Sequence, residues 1–207
     1  IVLTDDLYLS CDFLQPLEEL NVDFENGDGG IVLANGTCTN KWVVGTSADG
    51  GNTSLFISNN GVDNTYTNTS SSNVFAYYPM YLKPGVYNYN YDWLCNGETT
   101  YDYLRVAIVP ANVALEASTG NYIWNHNNLP AGVTALDGGS KLNLQESWQS
   151  FAGSVEVPEG GLYKFVFYWR NDHNGGSQPP AAVDNFSFYN THQTLFLVAT
   201  TDETDRG

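Results

Sequence analysis

The chain has 207 residues, 42% of them hydrophobic, enough for one large β domain or two small ones. Its 14 Tyr, 10 Phe and 5 Trp favour strands over helices. With 7 Lys and Arg against 23 Asp and Glu, the formal net charge is -16, which excludes a nucleic-acid partner needing a basic face and argues against an anionic membrane surface. The acidic excess reads either as solubility outside the cell or as carboxylate-rich cation binding, since Ca²⁺ prefers such oxygens.

The first twenty residues are weakly patterned: a short strand at 7–9 and a helical turn at 15–20 are expected. The opening IVLTDDLYLSCDF lacks a basic n-region and a long apolar stretch, so it does not read as an intact signal peptide. No run of about 18 apolar residues is present, so no membrane insertion is expected. Residues 21–25 (NVDFE) read as a strand running into the Gly-rich turn 26–30. Short strands are expected at 31–33 and 42–44, with turn material at 47–53. A strand follows at 54–58 (SLFIS), closed by Asn59-Asn-Gly61. After a polar loop comes a strand at 74–82. A Lys-Pro-Gly turn then leads into 86–93. There Tyr87, Tyr89, Tyr91 and Trp93 fall at period two on one face, with Val86, Asn88, Asn90 and Asp92 on the other.

Residues 101–109 (YDYLRVAIV) form the next strand. The stretch 111–137 is the least regular, either a long insertion or a decorated loop with short strand pieces. Residues 141–144 and 146–157 lead into the aromatic strand 163–170 (YKFVFYWR), a polar Gly/Pro loop and a last strand, 182–188 (AVDNFSF). Residues 192–200 have strand character, and 201–207 are polar. The turn-plus-aromatic pattern of 84–93 echoes that of 159–169, as two strands facing one core would. Strands punctuated every ten residues or so by turn residues specify an all-β sandwich or barrel in one domain.

Cys11, Cys38 and Cys95 are an odd set, too few for a disulfide scaffold and without zinc spacing. One disulfide with a free thiol and three buried thiols are both open. His126, His173 and His192 sit beside no nucleophile elbow or cysteine signature, and there is no HExxH and no phosphate-binding glycine motif, so no catalytic residue is assigned. Glu98 and Asp102 are the nearest thing to a glycosidase carboxylate pair, but read more simply as an acidic loop. Arg105 and Arg170 are expected to pair with those acids. In 121–128, Tyr122 and Trp124 lie among Asn125, Asn127 and neighbouring amides. Aromatic faces stack on sugar rings and amides bond hydroxyls, so this cluster is the candidate ligand site; the alternative is that Trp124 plugs a core edge. Four N-x-Ser/Thr sequons, at Asn35, Asn52, Asn68 and Asn185, matter only in a glycosylating host.

One resemblance rests on an ordered set of short motifs. These are Asp23-Phe-Glu25, Trp42 with Gly45, SLFIS before Asn-Gly61, Tyr91-Asp-Trp93, Asp102-Tyr-Leu-Arg-Val106, Phe167-Tyr-Trp169-Arg170 and Pro180-Ala-Ala-Val-Asp-Asn185. In this order they resemble the MAM-like jelly-roll modules of bacterial, Bacteroidetes-type surface proteins, the cleaved-adhesin or choice-of-anchor J domains. The resemblance covers roughly residues 21–190, leaving 1–20 as an N-terminal extension and 191–207 as a C-terminal strand or tail. It implies a two-sheet antiparallel jelly roll in an extracellular or cell-surface protein, non-catalytic, serving adhesion or carbohydrate binding. A structural subunit or spacer of a larger surface assembly is the alternative, followed by a non-catalytic part of a secreted glycosidase or protease. It also implies a structural cation, Ca²⁺, held where first and last strands meet: Glu25 and Asp184, with Asp23 completing the shell. The residues alone leave Asp184-Asn185 equally readable as a turn that bonds its own backbone.

Overall fold

A computed structural model describes residues 15–120, 124 and 129–191. Every strand pairing in it is antiparallel, and no helix forms among the described residues. The strands are β1 (Glu19–Val22), β2 (Val32–Ala34), β3 (Lys41–Asp49), β4 (Asn52–Ser58), β5 (Ser72–Leu82), β6 (Gly85–Cys95), β7 (Tyr103–Pro110), β8 (Thr134–Ala135), β9 (Gln145–Val157), β10 (Gly161–Asn171) and β11 (Ala182–Asn190). One sheet runs β3-β4-β11-β6-β9, with β1 also paired to β11; the other runs β2-β5-β10-β7-β8. This is the two-sheet antiparallel jelly-roll sandwich that the resemblance implies, and one of the two architectures, sandwich or barrel, that the strand pattern predicts.

The period-two aromatics explain why the sheets pack. Tyr87, Tyr89, Tyr91 and Trp93 of β6 face Phe165, Phe167 and Trp169 of β10 across one core. Tyr89 meets Phe165 edge-on at 6.1 Å between ring centroids, and Tyr91 meets Phe167 at 5.9 Å. The sequence echo between 84–93 and 159–169 is therefore two strands of opposite sheets facing the same interior.

A second core lies on the outer face of the β10 sheet. Phe75, Tyr103, Val166 and Tyr168 are buried there beneath Trp124, Val113, Leu115, Leu129 and Val133 of the irregular stretch. This cover explains why every residue from Phe165 to Asn171 is buried rather than every second one. Its anchor is a buried ion pair. Asp137 Oδ2 accepts from Arg105 Nε at 2.5 Å and from the Val106 N–H at 3.1 Å, while Asp137 Oδ1 accepts from Gly139 N–H at 3.1 Å.

Two local expectations are corrected. Residues 19 and 20, expected in a helical turn, belong to β1, because β11 offers a strand edge whose pairing (Glu19 with Tyr189, Val22 with Phe186) outweighs a weak local preference. Residues 47–53 are not all turn: β3 and β4 extend through them, and the reversal narrows to Gly50-Gly51, both at positive φ. Cys38 and Cys95 are buried free thiols; Cys11 and the strands expected at 7–9 and 192–200 lie outside the described residues.

Candidate functional site

The outer face of the β11 sheet carries a polar groove of about 490 Å³. Asn21, Asp23 and Asn26 line one side, Asn90 of β6 the other, and Asn185, Phe186 and Ser187 of β11 the floor. A break in the β11–β6 register between Asp184 and Ser187 makes it: Asn185 adopts φ 48°, and the extra residue bends the strand. Side-chain bonds then fix the floor. Asn185 Nδ2 donates to Asp92 Oδ2 at 2.9 Å, and Ser150 Oγ donates to Asp92 Oδ1 at 2.5 Å. Asn90 Nδ2 donates to the Asn185 carbonyl at 3.1 Å, and Ser187 Oγ to Asn90 Oδ1. Two positions along β11 lies Tyr189, 39% exposed, with its hydroxyl 3.5 Å from Asn88 Nδ2. The face thus offers fixed amides beside an accessible ring.

The cation ligands expected from the resemblance adjoin lining residues in sequence: Asp184 precedes Asn185, and Glu25 lies between Asp23 and Asn26. Asp184 is 5% exposed; burial pushes its carboxyl up to about 6, with Asp49, Asp92 and Glu25 adding to the rise and the Asn185 N–H, 2.6 Å away, opposing it. Glu25 reaches β4, accepting from the Thr53 N–H and, at 3.4 Å, from Thr53 Oγ1. The next residue, Ser54, is wholly buried, and its hydroxyl has no hydrogen-bond partner. It precedes Leu55, whose partner on β11 is Val183, the neighbour of Asp184. Glu25 and Asp184 therefore share one electrostatic neighbourhood. Asp23 is turned to the groove and takes its bonds from Asn26, at 3.4 and 3.2 Å.

Among the described residues, the acids whose ligand atoms lie within 4.8 Å of one another are a different set, Glu98, Asp102 and Asp172. Asp102 accepts from Tyr66 Oη at 2.6 Å and from the Asp172 N–H at 3.0 Å. Burial pushes Asp102 up to about 6, Glu98 and Asp172 raise it further, and the two hydrogen bonds oppose them. The structure thus brings Glu98 and Asp102 together as their spacing allows, and adds Asp172. The expected arginine partners are corrected: Arg105 pairs with Asp137, and Arg170 lies over the rings of Tyr101 and Tyr103 and donates to Tyr103 Oη.

Of the sequence-derived ligand cluster, Tyr122, Asn125 and Asn127 lie outside the described residues. Trp124 is wholly buried, its ring 5.5 Å from Phe75 and 5.3 Å from Tyr168. Stacking on a sugar needs an accessible face, so Trp124 here takes the alternative role of core plug. The sequence alone assigns no ligand role to the groove residues Asn21, Asn90 and Ser187 or to the adjoining Tyr189. The outward polar set of β6 is a signal for them; the bulge that gathers them is not written locally.

No protein-family model matches the sequence, and no curated protein matches it. Among solved structures, the CBM22-1–GH10 modules of the Clostridium thermocellum endo-1,4-β-D-xylanase 10B, complexed with xylohexaose, superpose with a TM-score of 0.50 at 11% identity, over 88% of this chain and 30% of that one. The CBM22-1 xylan-binding domain of Paenibacillus barcinonensis Xyn10C gives 0.49 at 13% identity, over 84% and 94%. A family 11 carbohydrate-binding module from Clostridium thermocellum, in complex with a mixed-linked tetrasaccharide, gives 0.42 at 10%, over 85% and 98%. The first of these supports the jelly-roll fold.

Proposed function

We propose that the chain is a non-catalytic carbohydrate-binding module of an extracellular or cell-surface protein, of the adhesin type its motifs resemble, and that the β1–β11–β6 groove holds the sugar. The observation that carries this is the amide-lined groove continuing to exposed Tyr189. Amides donate and accept toward hydroxyls, and a tyrosine face stacks on a sugar ring. The xylohexaose bound to the structural neighbour points to β-linked polysaccharide as the first class to try. Affinity electrophoresis through gels containing xylan or mixed-linkage glucan tests it. Retardation is expected, and Tyr189→Ala should weaken binding by about tenfold, the weight of one aromatic contact. Free migration through every polysaccharide would sink the reading.

A structural Ca²⁺ belongs to the same proposal. The donor types suit a hard cation: the carboxylates of Glu25 and Asp184, the latter also sensing Asp49 and Asp92, and the unpartnered hydroxyl of buried Ser54. Bound there, it would neutralise the carboxylates that now raise Asp184. The alternative reading, a subunit of a surface assembly, draws on Tyr81 and Leu162, cross-strand partners that are 36% and 48% exposed on the other sheet.

A further inference from the structure

On the reading of the groove as a sugar site, we infer that it selects glycans bearing free amines, such as a polymer of deacetylated amino sugars, over neutral ones, and rejects uronate chains. The reason is its one-sided charge. None of the described residues lining the groove is basic, and Asp23 presents an exposed carboxylate to it. Asp23 is held only by long bonds from Asn26, at 3.4 and 3.2 Å, which leaves its oxygens able to accept an ammonium.

The surroundings carry the same sign. Glu19 lies on the same face of β1 as Asn21, whose amide donates to it. Asp92 accepts from Asn185 Nδ2 on the groove floor. Among the described residues the two ion pairs, Lys83–Glu18 and Arg105–Asp137, involve none of these acids. A cleft lined by one sign raises the local concentration of the opposite charge, and the chain's net charge of -16 extends that field. A uronic acid would bring its carboxylate against Asp23 with no basic side chain among the described lining residues to receive it. The lining amides bond hydroxyls without regard to charge, so the carboxylate sets the preference.

Calorimetric titration of the whole chain with four hexasaccharides tests this: glucosamine, N-acetylglucosamine, xylose and galacturonate oligomers, at mildly acidic pH where the amine is charged. The glucosamine hexamer should bind about fivefold more tightly than its N-acetylated form, and galacturonate weakest of all. Asp23→Asn should cut that ratio by about threefold. Glu159→Gln, an exposed acid of the β9–β10 turn, should leave the ratio unchanged. Equal affinity for the glucosamine and N-acetylglucosamine hexamers would overturn the inference while leaving the groove a neutral-sugar site. So would an equal effect of the two variants, which would assign the preference to net charge. If no hexamer binds, the sugar-site reading falls with it.

Discussion

Asp137 shows how much one residue of an irregular stretch can hold. It is wholly buried in side chain, it neutralises Arg105, and it receives the backbone N–H groups of Val106 and Gly139. A buried ion pair adds little net stability over apolar residues of the same shape, but removing one partner strands the other. Asp137→Ala leaves the Arg105 guanidinium, 2% exposed, without its carboxylate. The expected loss is about 3–5 kcal/mol in urea unfolding, with the slope unchanged. A loss under about 1 kcal/mol would mean that the guanidinium's remaining partners compensate for the carboxylate. Nothing near Asp137 in sequence announced this. Its partner is 32 positions away, and the scarcity of cations drew attention to Arg105 while assigning it to Glu98 or Asp102.

At the scale of elements, β11 is the hinge of the molecule's chemistry. It lies between β4 and β6, takes β1 along its later half, and carries both Asp184 and the groove floor. A cation joining Asp184 to Glu25 would tie β11 to the chain that runs on from β1, and Glu25 is already docked on β4 at Thr53. If Ca²⁺ binds only the folded chain, a hundredfold excess over its dissociation constant adds about 2.7 kcal/mol, which for about 200 residues is a rise of roughly 5–10 °C in the thermal midpoint. The chelated and Ca²⁺-loaded proteins should differ by that much, and Asp184→Asn should remove the difference. Identical midpoints for the wild type would exclude a structural cation at Glu25 and Asp184. The strands themselves were legible because burial writes a period of two into β6 and a dense apolar run into β10. The site was less so. Adjacency of first and last strands was expected, and β1 does pair with β11, but the groove depends on one extra residue at Asn185. That bulge joins Asn21, Asn90 and Ser187, positions far apart in the chain. Trp124 misled for a similar reason: an Asn-rich context reads as exposed until the fold lays it on Phe75 and Tyr168.

The whole molecule is an acidic sandwich, and its stability should respond to pH in an uncommon direction. Asp102 is 1% exposed and pushed up to about 6 from an ordinary 3.8, first by burial and then by Glu98 and Asp172. Tyr66 and the Asp172 N–H favour its charged form but do not reverse the shift; Tyr66 in turn is raised, by its own burial first and then by the bond to Asp102. A folded-state value above the unfolded one means that the folded chain binds more protons between them. The cost of charged Asp102 is therefore present above about pH 6 and is relieved as pH falls toward 4. Lower net charge acts in the same direction, because fewer of the 23 acids repel one another. Salt separates the two contributions, since it screens exposed charges much more than buried ones. In high salt with chelator present, the denaturation midpoint should rise as pH is lowered from about 7.5 to about 5, and Asp102→Asn should remove about half of that rise, the remainder belonging to Asp184, likewise pushed up to about 6. A wild-type midpoint that falls over this window, or an Asp102→Asn profile that keeps the wild-type slope, would show that Asp102 is not a group that sets the response.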